Sequence, residues 1–176
     1  MANLVCPSVD MNFLSPNGFV LGIERLPQVS FFSQTVEIPN ISLDSLGQAT
    51  PLSRIQIPSD QLDFSPLSID FAVDEQMTNW QEIFKWMRGL GFPEDRSQYT
   101  EENSSRGYER SSDLSRNYSD ATLFILGSNN VPIKSFTFID CFPSSLGGMR
   151  FSSTNDGVNY LTSTLTLSYS YFKVDE

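Results

Sequence analysis

The chain has 176 residues, 39% of them hydrophobic, including 14 Phe, with 21 acidic side chains against 11 basic ones and no histidine. That length and apolar content suit one domain burying roughly 70% of its unfolded surface. A net charge of −10 excludes the broad basic surfaces that bind phosphate by counterion release, and the missing His removes the commonest acid–base group, the usual zinc ligand and the His-dependent nucleophilic triads.

Residues 1–16 read as a loose amino-terminal arm, without the basic start and apolar run of an export signal. No stretch approaches membrane-spanning length, so a soluble protein assembled in the cytoplasm is expected. Strands are predicted at 18–25, 29–38, 41–46 and 53–57. Between the second and third, Pro39-Asn40 interrupts the alternation and flips the apolar parity, as a bulge or bend would. From Phe64 the pattern is clearest: Leu67, Ile69, Phe71 and Val73 share one parity, Ser68, Asp70 and Asp74 the other. That is a strand with one dry and one wet face.

The period then changes. Trp80, Ile83, Phe84 and Met87 recur at helical spacing, Thr78 with Gln81 reads as a capping box, and Gly89, Gly91 and Pro93 stop the helix. That apolar set is expected to be core, with Trp86 and Arg88 on another face, available to a neighbouring molecule. Residues 94–120 are rich in Ser, Asp, Glu and Arg and are predicted to be an exposed loop whose Tyr108 is a candidate contact.

Strands resume at 121–126 and 133–142 around a Gly127-Ser-Asn-Asn130 turn suited to a hairpin. An irregular connection over 140–149 follows. One long strand is predicted at 160–172, with Leu161, Leu165, Leu167, Tyr169 and Tyr171 on one face. Thr162, Thr164, Thr166, Ser168 and Ser170 lie on the other, a hydroxyl face that is wet or lines something wet. Cys6 and Cys141 match no metal spacing; two free thiols are expected, though the sequence leaves their pairing open.

The order of these elements resembles the tail tube protein family of contractile-tailed bacteriophages. The likeness runs through Phe31-Phe32, Ile38-Pro39, Arg54-Ile-Gln-Ile-Pro-Ser-Asp60 and the strand-to-helix step Leu67-Ser-Ile-Asp-Phe-Ala-Val-Asp-Glu75 with Trp80 and Phe84-Lys-Trp86. It continues in the later hairpin, in Phe142-Pro143 with Leu146-Gly147, and in the terminal strand. It spans about 18–172; the 94–120 loop is longer than the family's connection, and the amino-terminal arm has no clear counterpart.

The resemblance implies a single mainly β domain, a β-barrel or sandwich tail-tube fold with one short α-helix. Strands of adjacent copies would complete an intersubunit barrel in hexameric rings that stack into a hollow tail tube in the virion. The partners implied are further copies, the tail sheath, baseplate and terminator proteins, and double-stranded DNA passing through the lumen without specific binding. No cofactor or metal is implied. A bore that DNA traverses without sticking should be polar, acidic and poor in Lys and Arg. Asp60, Asp63, Asp70, Asp74, Thr164 and Thr166 are therefore the candidate lumen-facing residues, and Trp86, Arg88 and Tyr108 the candidate intersubunit or sheath contacts.

Other readings compete. Asp60 with Asp63, or Asp74 with Glu75, offers the carboxylate pair that glycoside hydrolysis needs, but an acidic chain always contains such pairs, and no enzyme is expected. A ligand-binding β-sandwich, a type VI secretion tube subunit, a baseplate tube initiator and a tail terminator complete the alternatives to a tube subunit.

Overall fold

A computed structural model describes residues 13–49, 53–91, 93, 95, 117–152 and 160–175. The elements follow in the order β1 (Phe19–Ile23), α1 (Pro27–Phe31), β2 (Ser33–Glu37), β3 (Ile41–Ala49), β4 (Arg54–Phe64), β5 (Leu67–Ala72), α2 (Thr78–Gly91), β6 (Ser119–Leu126), β7 (Pro132–Leu146), β8 (Thr162–Ser168) and β9 (Tyr171–Asp175). Seven strands form one antiparallel sheet in the order β1-β6-β7-β8-β5-β2, with β9 also paired to β7; β3 and β4 make a separate two-stranded ribbon. The molecule is thus mainly β, as the alternation predicts.

The strand expected over 29–38 is partly helical. Pro27 presets the first turn of α1. The Ser30 hydroxyl donates to the Leu26 carbonyl at 3.1 Å and accepts the Ile23 N–H at 2.8 Å, holding that turn against the end of β1. The parity flip at Pro39-Asn40 marks a change of sheet: β2 ends at Glu37, and β3 starts the ribbon at Ile41.

β7 is longer than predicted because the chain turns a corner instead of leaving the sheet. Asp140 has φ 57°, a conformation that Asp tolerates better than most side chains. Its N–H donates to Asp120 Oδ1 at 3.2 Å, and Ser170 Oγ donates to its Oδ2 at 3.4 Å. Up to Cys141 β7 pairs with β6 and β9; from Phe142 it pairs with β8. The two halves of the sheet thereby face each other across one core built from Leu21, Leu123 and Phe138 on one side and Leu67, Ile69, Phe71, Leu165 and Leu167 on the other. Burying each such side chain contributes about 1.5–3 kcal/mol.

The expected 160–172 strand is two strands. It breaks at Tyr169-Ser170, where the Ser170 N–H donates to the Ile139 carbonyl at 3.0 Å. Parity changes across the break: Tyr169 packs on the core, Tyr171 is 43% exposed, and Phe172 turns inward against Phe64, Phe136 and Phe138. Tyr171 therefore does not share the face of Leu165 and Leu167.

The helix keeps Ile83 buried and Trp80 and Met87 against the core, as predicted, but not Phe84. Its buried stripe is Asn79, Ile83, Trp86 and Gly89, while Phe84 is 46% exposed. Asn79 replaces the expected capping box. Its Oδ1 accepts the N–H groups of Trp80 (2.8 Å) and Asp74 (3.3 Å), and its Nδ2 donates to the Ala72 carbonyl at 2.8 Å. This amide is buried on the same side of the helix as Trp86.

Candidate assembly interface

The predicted lumen residues fall into three places. Asp70, Thr164 and Thr166 share one face of the β2-β5-β8 segment, opposite the buried Ile69, Phe71, Leu165 and Leu167. Asp70 lies between Thr164 on β8 and Thr35 on β2, and the Thr164 hydroxyl donates to Asp70 Oδ1 at 2.6 Å. Ser68 extends this face between Thr166 and Glu37. None of the three strands contains Lys or Arg. A continuous hydroxyl and carboxylate surface of this kind stays hydrated and repels polyanions.

Asp60 and Asp63 do not join it. Both sit on β4 of the separate ribbon, Asp63 opposite Ser42 and Asp60 within the register irregularity between Leu43 and Ser45. Asp74 belongs to the strand-to-helix turn, where its Oδ2 accepts the Thr78 hydroxyl at 3.5 Å. It sits beyond the end of β5, off the sheet face.

Trp86 is corrected outright as a contact residue. It is 1% exposed, its indole N–H donates to the Asn117 carbonyl at 3.2 Å, and the Arg25 guanidinium lies 4.6 Å from its ring centroid. Arg88 lines an open 430 Å³ groove with Trp80, Phe84, Met87 and Leu146, where Trp80 and Phe84 stack at 5.6 Å. Tyr108, most of the 94–120 loop, the first twelve residues and Cys6 lie outside the described residues. Cys141 is a free, buried thiol whose pKa is pushed up to about 12 by burial, with the Asp120 and Asp140 charges adding. Burial, then Cys141, raises the Tyr169 phenol to about 12; its hydroxyl donates to the Ser65 carbonyl at 2.7 Å.

The surface that sequence reasoning missed is the β3–β4 ribbon. Leu43 pairs with Leu62, Leu46 pairs with Ile57, and Ile55 follows on the same face as Ile57. All five are between 43% and 67% exposed. The ribbon's base is anchored, with the Phe64 ring 5.5 Å from Phe172 and 6.4 Å from Tyr169. A two-stranded ribbon is marginal in water by itself, and this one presents aliphatic side chains to solvent along its length. The apolar parity of 41–62 switches at the register irregularity between Leu43 and Ser45, a local pattern that marks a bulge and does not say whether the strands are covered. Beyond the ribbon, β1, β2 and β9 each pair on one side only in the main sheet, and such edges are places where another strand can add.

Among the described residues, no group of three or more His, Cys, Asp or Glu could hold a metal ion, and no helix is long and apolar enough to cross a membrane.

No protein-family model matches the chain. In sequence it is similar to the tail tube terminator protein of Enterobacteria phage T4, 28% identical over 172 residues that cover 94% of this chain and 90% of the relative. In fold it is similar to the tube-terminating cap of the anti-feeding prophage, with TM-score 0.64, 11% identity and 99% of each chain covered. It is similar as well to a chain of the sheath–tube complex of an extracellular contractile injection system, with TM-score 0.62, 14% identity, and 94% and 93% of the two chains covered.

Proposed function

We propose, from the premise that this chain is a structural tube-type protein of contractile tails and no enzyme, that it is the ring closing the tail tube at one end. The sequence reading put the repeated tube subunit first and the terminator among its alternatives. The fold does not separate the two, because the cap and the sheath–tube chain match almost equally well. What carries the proposal is the sequence likeness to a tail tube terminator across 94% of the chain.

In this reading the exposed ribbon and the open edges β1 and β2 meet other copies. A patch on one copy that meets a different patch on the next gives a contact that closes into a ring when the rotation per copy allows it; six copies are the expectation. The Asp70–Thr164–Thr166 face then lines the opening through which double-stranded DNA passes unbound, and the sheath and tube proteins of the tail are the outer and axial neighbours. Assembly takes place in the host cytoplasm, and the finished ring resides in the virion.

Negative-stain microscopy of the purified protein tests the choice. A terminator gives discrete rings that do not stack, and these rings cap tubes growing from a separate tube protein. Long hollow rods of the protein alone would return the tube subunit to first place. Asp70→Lys is expected to leave ring formation intact and to slow DNA ejection from assembled particles; unchanged ejection kinetics would remove Asp70 from the lining.

A further inference from the structure

The strand pair β2–β5 carries two unpartnered features at opposite ends. The ribbon departs beyond the end at which Glu37 pairs with Ser68. At the other end, where Ser33 pairs with Phe71, lies an open groove of 630 Å³. Phe32, Met77, Phe151 and Leu161 supply its apolar walls, and Asp74 and Glu75 stand beside them, with no Lys or Arg among the described lining residues. Phe151 is 70% exposed there.

The ribbon's outer half is the complement of that groove. Residues 45–58 contain one charged side chain, Arg54, and its apolar face is the Leu46–Ile57 pair with Ile55. The Arg54 guanidinium lies across Gly47, where any Cβ would collide with it, so glycine is what lets the cation settle on the strand. The chain's own ribbon starts about 13 Å from the groove end, four strand residues away. It pairs with no strand of the main sheet that would bring it back.

Deepening the ring reading and resting on it, we infer that the outer half of the ribbon of one copy seats in the β2/β5–α2 groove of a second copy, Leu46, Ile55 and Ile57 against the apolar walls and Arg54 towards Asp74 and Glu75. The contact is head-to-tail: each copy offers a ribbon at one end and a groove at the other, so it repeats from copy to copy without exhausting either surface. It covers the aliphatic side chains that the isolated chain leaves wet and places the single cation of the ribbon at the acidic rim.

Site-specific cross-linking tests it. In a Cys6→Ser background, chains carrying Leu46→Cys and chains carrying Gln34→Cys are mixed and treated with a short bismaleimide; Cys141 is buried and stays silent. The expected product is a covalent dimer in the mixture and none with either chain alone. Rings seen by native mass spectrometry without that mixed dimer overturn the seating while leaving the terminator reading intact. Failure to form rings at any concentration overturns both. A chain carrying both cysteines that closes on itself as a monomer also overturns the inference, since the ribbon would then cover its own groove. As a second arm, Arg54→Glu is expected to weaken association by about tenfold or more, and adding Glu75→Arg to restore it, because like charges across an interface are strongly unfavourable. Undiminished association of Arg54→Glu overturns the charge pairing.

Discussion

The body of the molecule and its β3–β4 ribbon use the same strand-forming aliphatic residues to opposite ends. In the body, Leu67, Ile69, Leu165 and Leu167 are completely buried between two halves of one folded sheet. In the ribbon, Leu43, Leu46, Ile55, Ile57 and Leu62 face water. The difference teaches that an apolar strand states only that it needs cover; whether the cover comes from its own chain is a property of the whole arrangement. The body covers its own apolar strands, and the ribbon leaves its apolar face in water.

The sharpest way to break this contrast is to place a charge in each region. Leu167→Lys puts an unpaired ammonium in the fully closed core and should abolish cooperative thermal unfolding, a loss on the order of 4 kcal/mol or more. A native-like melt would mean that the body's core has been misplaced. Asn79→Ala tests the polar joint at the start of the helix. It strips an acceptor from two N–H groups and a donor from the Ala72 carbonyl, so denaturant titration should show a loss of about 1–3 kcal/mol.

Leu46→Lys is the counterpart on the ribbon. The same change of chemistry should alter the stability of the monomer by no more than about 0.5 kcal/mol while eliminating rings under the microscope. Loss of monomer stability equal to that of Leu167→Lys would erase the distinction between the two regions.

A pH dependence is expected to be confined to the body. Cys141 and Tyr169 hold their protons in the fold up to about pH 12, against ordinary values of 9.0 and 10.0. The unfolded chain releases those protons first, so the stabilisation is complete below about pH 9 and declines as the pH rises towards 12. Urea midpoints should fall over that window, and Cys141→Ala should flatten part of the decline.

Much of the fold was legible because strong alternation needs no long-range information. β5 with its buried Leu67, Ile69 and Phe71, the α2 segment and the Gly127–Asn130 turn, closed by the Asn130 N–H on the Gly127 carbonyl at 2.9 Å, all lie where periodicity and turn residues predict them. The misreadings share one cause. Four apolar residues fit one helical stripe, which predicts Phe84 in the core and Trp86 on a contact face; Trp80, Ile83 and Met87 do pack inward, while Phe84 is exposed and Trp86 is buried with its indole N–H on the Asn117 carbonyl. Of the proposed lining, Asp70, Thr164 and Thr166 come together because a hydroxyl strand and a Ser/Asp strand pair in register. Asp60, Asp63 and Asp74 looked equivalent as isolated carboxylates and are not.

By itself the sequence determined that the protein is acidic, histidine-free and built mainly from alternating strands, with a helix over 78–91. Those properties follow from composition and local period, which are fixed residue by residue. Only the tertiary structure decided which polar residues share a face, which aromatic enters the core, and that one pair of strands leaves the sheet uncovered. Such outcomes depend on how distant segments compete for the same partners, and no local pattern encodes that competition.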